Sequence, residues 1–303
     1  MMNDVPARLT EPGSAATMPP DTLPFPAALS AAAQAGVPLR AVGAASALPA
    51  RVAADSGFDA LWVSGLEVSA ALGLPDENVL TSQDLADVIQ SLRRVTGLPV
   101  IVDMDNAGGS VPTARRFGGD LARAGASALC LEDSAYPKVN SFAVHRDQHL
   151  ADPGLMAGQL AALRDVCGPG MVLVARTETL ITGGTVGEAL RRGSAYAAAG
   201  ADLVLVHSRD TSGSQALEVA GSWPGPALLA TIPTAFPHIP LEKLGEAGFA
   251  LAIYANQLSR AALAAMRATA GAIAATGGVP ADLDLAAVQD LLQIAQPAAR
   301  ACL

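Results

Sequence analysis

Short apolar runs, each followed by a helical-looking stretch, begin near residue 38 and continue almost to the end of the chain. Eight of them read as strands: LRAVG (39–43), ALWVSG (60–65), PVIVDMD (99–105), SALCLED (127–133), MVLVART (171–177), DLVLVHS (202–208), ALLATIP (227–233) and ALAIYAN (250–256). Each is brief and mostly apolar, as a parallel strand buried on both faces must be. Between them, segments such as LADVIQSLRRVTG and PGLMAGQLAALRDVCG repeat apolar residues at three- and four-residue spacing. Several close on a Gly suited to a helix C-cap. Eight strands alternating with helices predict a closed α/β architecture, the (β/α)8 TIM barrel. A doubly wound open sheet is the alternative. The strand count and the lack of a GxGxxG turn after the first strand weigh against it.

The ends of the chain read differently. Residues 1–28, rich in Pro, Ala and Thr, predict a disordered arm ahead of a single barrel domain over 29–303. The amphipathic tail ADLDLAAVQDLLQIAQPAARACL is expected to pack against the barrel or a partner subunit.

Composition narrows the function classes. The chain has 303 residues, 51% of them apolar but only 4% aromatic, so its core must be built mostly from Ala, Val and Leu. A formal net charge of −9 argues against a nucleic-acid binder, which needs a basic footprint. A small anionic substrate remains compatible if a metal ion and a few local cations reverse the field. No apolar run is long enough to span a membrane, and the N-terminus lacks a basic segment followed by an apolar one. Together these predict a cytoplasmic protein. Cys130, Cys167 and Cys302 stand far apart and read as reduced thiols without a metal role.

In a barrel of this kind the C-terminal ends of the strands carry the chemistry. Here they end in Ser64-Gly65, Asp103-Met104-Asp105, Glu132-Asp133, Arg176-Thr177-Glu178, His207-Ser208, Pro233-Thr234 and Asn256, while the strand beginnings are mostly apolar or Pro. Charge collected at one end of buried strands costs desolvation unless it is paired or metal-bound. Asp103, Asp105 and Glu132 are hard oxygen donors on adjacent strands and suit Mg2+ with several retained waters. The plainer reading has Asp103 and Asp105 capping the next helix and Glu132 pairing with Arg176. Three acids beside Arg176 and His207 favour a site, with those two cations receiving an anionic substrate. His145, His149 and His238 read as surface residues. The long segment 132–153, with Pro137, Lys138, Asn140 and Ser141, reads as a loop that closes over substrate.

Seven segments extend this picture: FDALWVSGLEVSAALGLPDEN (58–78), VDMDNAGG (102–109), LEDSAYPKVNS (131–141), ARTETLITG (175–183), AGADLVLVHS (199–208), PT (233–234) and YANQLSRAA (254–262). In their order and spacing the chain resembles the phosphoenolpyruvate mutase/isocitrate lyase superfamily, and within it the mutase branch. That resemblance implies a barrel whose last helix is swapped between subunits of a homo-oligomer, usually a tetramer. It implies interconversion of phosphoenolpyruvate and phosphonopyruvate, the C–P bond-forming step of phosphonate biosynthesis. Mg2+ binding is carried onto Asp76, Asp103, Asp105 and Glu132, and contact with the pyruvyl group onto Trp62, Ser64, Gly65 and Leu66. Arg176 and His207 would hold the phosphoryl group, with Lys138, Asn140 and Ser141 in the gating loop. Asn140 separates mutases from phosphonopyruvate hydrolases, and the catalytic KKCGH-like loop of isocitrate-lyase-type members is absent. The chain departs from the family pattern at Ser134, where a Lys is usual, and in DMDNAGGS, which replaces DADTGYGN. Those departures leave open a hydrolase, a C–C lyase acting on a 2-oxo acid, or a non-catalytic scaffold barrel.

Overall fold

The computed structural model describes residues 23–141 and 147–294. Eight strands form a closed barrel in sequence order: β1 (Leu39–Gly43), β2 (Ala60–Val63), β3 (Val100–Asp103), β4 (Ala128–Glu132), β5 (Val172–Thr177), β6 (Leu203–Val206), β7 (Leu228–Thr231) and β8 (Phe249–Tyr254). All neighbours are parallel, and β1 closes the ring on β8 with Leu39 opposite Leu251. The helices are α1 (Phe25–Ala35), α2 (Ala47–Asp55), α3 (Gly65–Leu72), α4 (Ser82–Arg93), α5 (Val111–Ala124), α6 (Pro153–Cys167), α7 (Val186–Ala198), α8 (Ser214–Ser222), α9 (Leu241–Glu246), α10 (Gln257–Thr276) and α11 (Val288–Ile294). The (β/α)8 barrel read from the apolar runs is the observed fold.

The barrel interior follows the two-residue period of a strand. Ala41, Trp62, Ile101, Cys130, Val174, Leu205 and Ile253 belong to one buried cluster that fills the barrel. Their neighbours Val42, Val63, Val102, Leu129 and Leu173 pack outward against the helices. Phe25 and Leu29, one helical turn apart on α1, join the inner cluster where α1 packs on β7 and β8.

Three expectations need correction. Residues 25–28, assigned to a disordered arm, form the first turn of α1, with Phe25 buried; residues 1–22 lie outside the described residues. Ser64 and Gly65 are not strand residues but the N-cap and first residue of α3. Met104 and Asp105 leave the ladder after Asp103, because Asp105 and Ala107 turn the backbone into the left-handed region at φ 52° and 49°. Neither aspartate caps the next helix; the Ser110 hydroxyl caps α5 by accepting from the Thr113 N–H at 3.3 Å. At the other end of the chain, none of the twenty residues of α10 is buried.

Candidate active site

The inward series that fills the barrel with apolar side chains turns polar at its C-terminal end. Continuing by twos, Ile101 leads to Asp103 and Asp105, Cys130 to Glu132 and Ser134, Val174 to Arg176 and Glu178, and Leu205 to His207. All seven of these polar residues are at most 7% exposed. Asp103, Glu132, Arg176 and His207 of this series line a cleft of about 550 Å3, open solvent included, at the strand C-termini. Of the thirteen residues expected in the site, eleven line it, from Trp62, Ser64 and Leu66 to Arg176 and His207. The other two stand directly behind: a Cβ on Gly65 would lie 3.2 Å from Asp105 Oδ1 and 3.6 Å from Asp76 Oδ1. Gly65 therefore lets the start of α3 approach two carboxylates. His149 and His238 are exposed, as expected of surface histidines, and His145 lies outside the described residues.

One half of the cleft is acidic and built around a cation. Lys138 reaches in from the segment after β4, and its ammonium contacts Asp105 and lies 2.9 Å from Asp76 Oδ1. The Asn140 amide donates to the other oxygen of Asp76. Burial alone would strip the charge from Lys138, but Asp105, Glu132, Asp103 and Asp76 hold its pKa well above the ordinary value. The acids do not come out even. Burial pushes Asp105 up to about 6 against the pull of Lys138, and pushes Glu132 up to about 8 against the pull of Arg176. Glu132 also accepts a 2.5 Å hydrogen bond from the Ser134 hydroxyl.

The other half is built around an anion. Glu178, fully buried, accepts from Arg176 Nε at 2.5 Å and from Ser141 Oγ at 2.6 Å, and sits 2.9 Å from His207 Nδ1. Burial opposes its charge, yet Arg176 and His207 overcome that and hold its carboxyl far below the usual range. Asp133 fixes it from behind, accepting from the Glu178 N–H at 2.8 Å, Thr177 Oγ1 at 2.7 Å and Tyr196 Oη at 2.8 Å. Arg176 spans both halves, 3.4 Å from Asp103 and 3.4 Å from Glu132. The pairing of Glu132 with Arg176 and the clustering of the acids thus coexist. Glu178 was absent from the expected site, although its place two residues beyond Arg176 on the inward series could have marked it.

The departures from the family pattern touch one another. Asn106 donates to the Ser134 carbonyl at 3.2 Å and accepts from the Asn78 amide at 3.0 Å. Asn78 in turn accepts from the Lys138 backbone N–H at 2.6 Å. Gly109 leaves room for Tyr136, whose Cβ would be 2.5 Å from a Cβ at that position.

The donor set suits a hard divalent cation. It is all oxygen, buried, and richer in carboxylates than Lys138 and Arg176 can balance. A cation would take the place of the protons that the raised acids otherwise hold. Among the described residues no three acids, His or Cys form a ready cage.

A model of the family described as phosphoenolpyruvate phosphomutase matches residues 29–274. The chain belongs to that family. It is 39% identical over 229 residues to the phosphoenolpyruvate phosphomutase of Streptomyces hygroscopicus, covering 75% of this chain and 72% of that protein. The crystal structure of the phosphoenolpyruvate phosphomutase from Streptomyces platensis subsp. rosaceus superposes with a TM-score of 0.84 at 37% identity, covering 89% of this chain and 94% of that one. A phosphonopyruvate hydrolase solved with oxalate and Mg2+ superposes with a TM-score of 0.81 at 32% identity, covering 89% and 94%. These relatives are enzymes, and they include both a mutase and a hydrolase.

Proposed function

We propose that this chain is a Mg2+-dependent phosphoenolpyruvate phosphomutase, an isomerase interconverting phosphoenolpyruvate and phosphonopyruvate. The observation that carries the reading is Asn140, the residue that marks mutases over hydrolases, hydrogen-bonded to Asp76 at the mouth of the cleft. In the forward direction the P–O bond of phosphoenolpyruvate breaks, leaving a pyruvate enolate and a metaphosphate-like phosphoryl group. The enolate C3 then attacks phosphorus to form the C–P bond. The N-terminus of α3, at Ser64, Gly65 and Leu66, receives the pyruvyl oxygens with its free N–H groups, over the indole of Trp62. Arg176 and His207 hold the phosphoryl oxygens in flight. Lys138, Asn140 and Ser141 keep water from capturing the phosphoryl group, which would give pyruvate and phosphate. Asp103, Asp105 and Glu132, with Asp76 assisting directly or through water, would hold Mg2+, which would supply positive charge beside the developing enolate oxygen.

Among the described residues no helix is long and apolar enough to cross a membrane. With the acidic net charge, this supports a cytoplasmic enzyme of a small anion. Exposed apolar residues on α10 and α11, among them Leu263, Met266, Leu291 and Leu292, support a homo-oligomer in which these helices pack on a partner.

The deciding experiment is ³¹P NMR of the protein with Mg2+ and phosphonopyruvate beside an Asp103→Ala control. A phosphoenolpyruvate signal absent from the control supports the mutase. Inorganic phosphate supports the second reading, a hydrolase, which the 0.81 superposition on a phosphonopyruvate hydrolase keeps in view. An unchanged phosphonopyruvate signal rejects both and turns attention to C–C cleavage of 2-oxo acids.

A further inference from the structure

Glu67 is a buried acid that the reaction does not use. It sits in the first turn of α3, 5% exposed, directly after the residues that face the cleft. Its Oε1 accepts a hydrogen bond from the Ser259 hydroxyl of α10. Its Oε2 is buried and has no hydrogen-bond partner. A Cβ built on Gly43, at the end of β1, would collide with both Glu67 Oε2 and the Ala255 carbonyl oxygen. The missing side chain of Gly43 thus leaves a small space bordered by both oxygens. A carboxylate oxygen beside a carbonyl oxygen is repulsive, whereas a carboxylic acid O–H would donate to it. Ala255 and the following Asn256 line the cleft.

We propose that Glu67 is a positioning residue in the form of a neutral carboxylic acid, its Oε2–H donating to the Ala255 carbonyl and holding the Ala255–Asn256 wall against α3. The surroundings agree. Gly43 of β1, Ala255 after β8 and Ser259 of α10 bring no charge to it, and Arg260, the next residue of α10, is exposed. Burial, opposed only by the Ser259 hydrogen bond, pushes Glu67 from its ordinary 4.5 up to about 7. The folded state therefore keeps a proton that the unfolded chain releases. The contribution to stability is complete below about pH 4.5 and is lost as pH rises through about 7.

The test compares the full-length protein with Glu67→Gln, which keeps a donor and an acceptor, and Glu67→Leu, which keeps neither. Infrared difference spectra, wild type minus Glu67→Gln, should show a protonated carboxyl band at about pH 6 that disappears at about pH 9, the bands of Glu132 and Asp105 being common to both proteins and cancelling. Relative to Glu67→Gln, the folding constant of the wild type should fall on the order of a hundredfold between about pH 4.5 and 7.5. Other acids titrate alike in both proteins and cancel. With phosphonopyruvate, Glu67→Leu should raise KM several-fold with a smaller change in kcat, and Glu67→Gln should restore it. Only this kinetic arm rests on the proposed reaction; if the wild type itself leaves phosphonopyruvate unchanged, the reaction assignment fails while the infrared and stability arms still judge Glu67. No carboxyl band, or parallel stability curves for wild type and Glu67→Gln, would mean an ionised Glu67 and overturn the proposal. An unchanged KM in Glu67→Leu would overturn the positioning role.

Discussion

The two halves of the cleft are electrostatic opposites. In one, a lysine from the segment after β4 is wrapped by acids fixed at the ends of other elements. In the other, a glutamate fixed just past β5 is wrapped by Arg176, His207 and Ser141. The anion-centred half is satisfied: Glu178 is held ionised and every partner is in reach. The cation-centred half is not, since Asp105 and Glu132 are pushed upward despite Lys138 and Arg176. A self-satisfied half is ready to receive an anion by exchanging partners, whereas an over-charged half is ready to receive a cation.

The contrast breaks most sharply at Asp103. Asp103→Ala removes a carboxylate that no neighbour replaces, so turnover should fall on the order of a thousandfold, read by ³¹P NMR. On the opposite half, Arg176→Lys keeps the charge but loses the fork that touches Glu178, Asp103 and Glu132. It should lower kcat/KM by about a hundredfold; a loss under threefold would mean that charge alone suffices there.

Adding Mg2+ should raise the melting temperature by several degrees at saturation, and the Asp103→Ala variant should lose most of the rise. The pH dependence has a definite sign. Asp105 and Glu132 are raised in the folded state, so in metal-free protein their contribution to stability is full below about pH 4. It is lost as pH rises through about 6 and about 8. Mg2+ competes with those same protons, so its stabilisation should grow across that window; a constant Mg2+ shift from pH 5 to 9 would contradict the charge imbalance. The smallest effect belongs to Asn106→Ala. It leaves the Ser134 carbonyl and the Asn78 amide short of a partner and should cost about 1–3 kcal/mol in denaturant unfolding.

Much of the site was legible because strand periodicity carries on past the strands. Apolar runs ending in Asp103, Glu132, Arg176 and His207 announce both the barrel and the end that holds its chemistry. What the pattern hid are contacts between residues distant in sequence. Asn78 and Asn106 are 28 positions apart, and nothing in either segment alone marks their hydrogen bond. Glu178 read as a polar residue following a strand, because its partners come from three other segments. Nothing in GLEVS marks Glu67 as a buried acid; its burial depends on Gly43 and α10, which no local window contains. The helical reading of 25–28 was missed because Pro24 and Pro26 suggest an extended arm, although Pro is well tolerated in a first helical turn.

Trp62 is at once part of the barrel filling and part of the cleft wall, 1% exposed among small neighbours such as Ala41, Ala60 and Cys130. Trimming a buried indole to alanine typically costs about 3–5 kcal/mol. A lineage seeking room for a bulkier substrate at this position would weaken the barrel with the same change. Substrate size and thermal tolerance are therefore tied through one side chain, and any widening of the cleft here requires refilling the barrel beneath it.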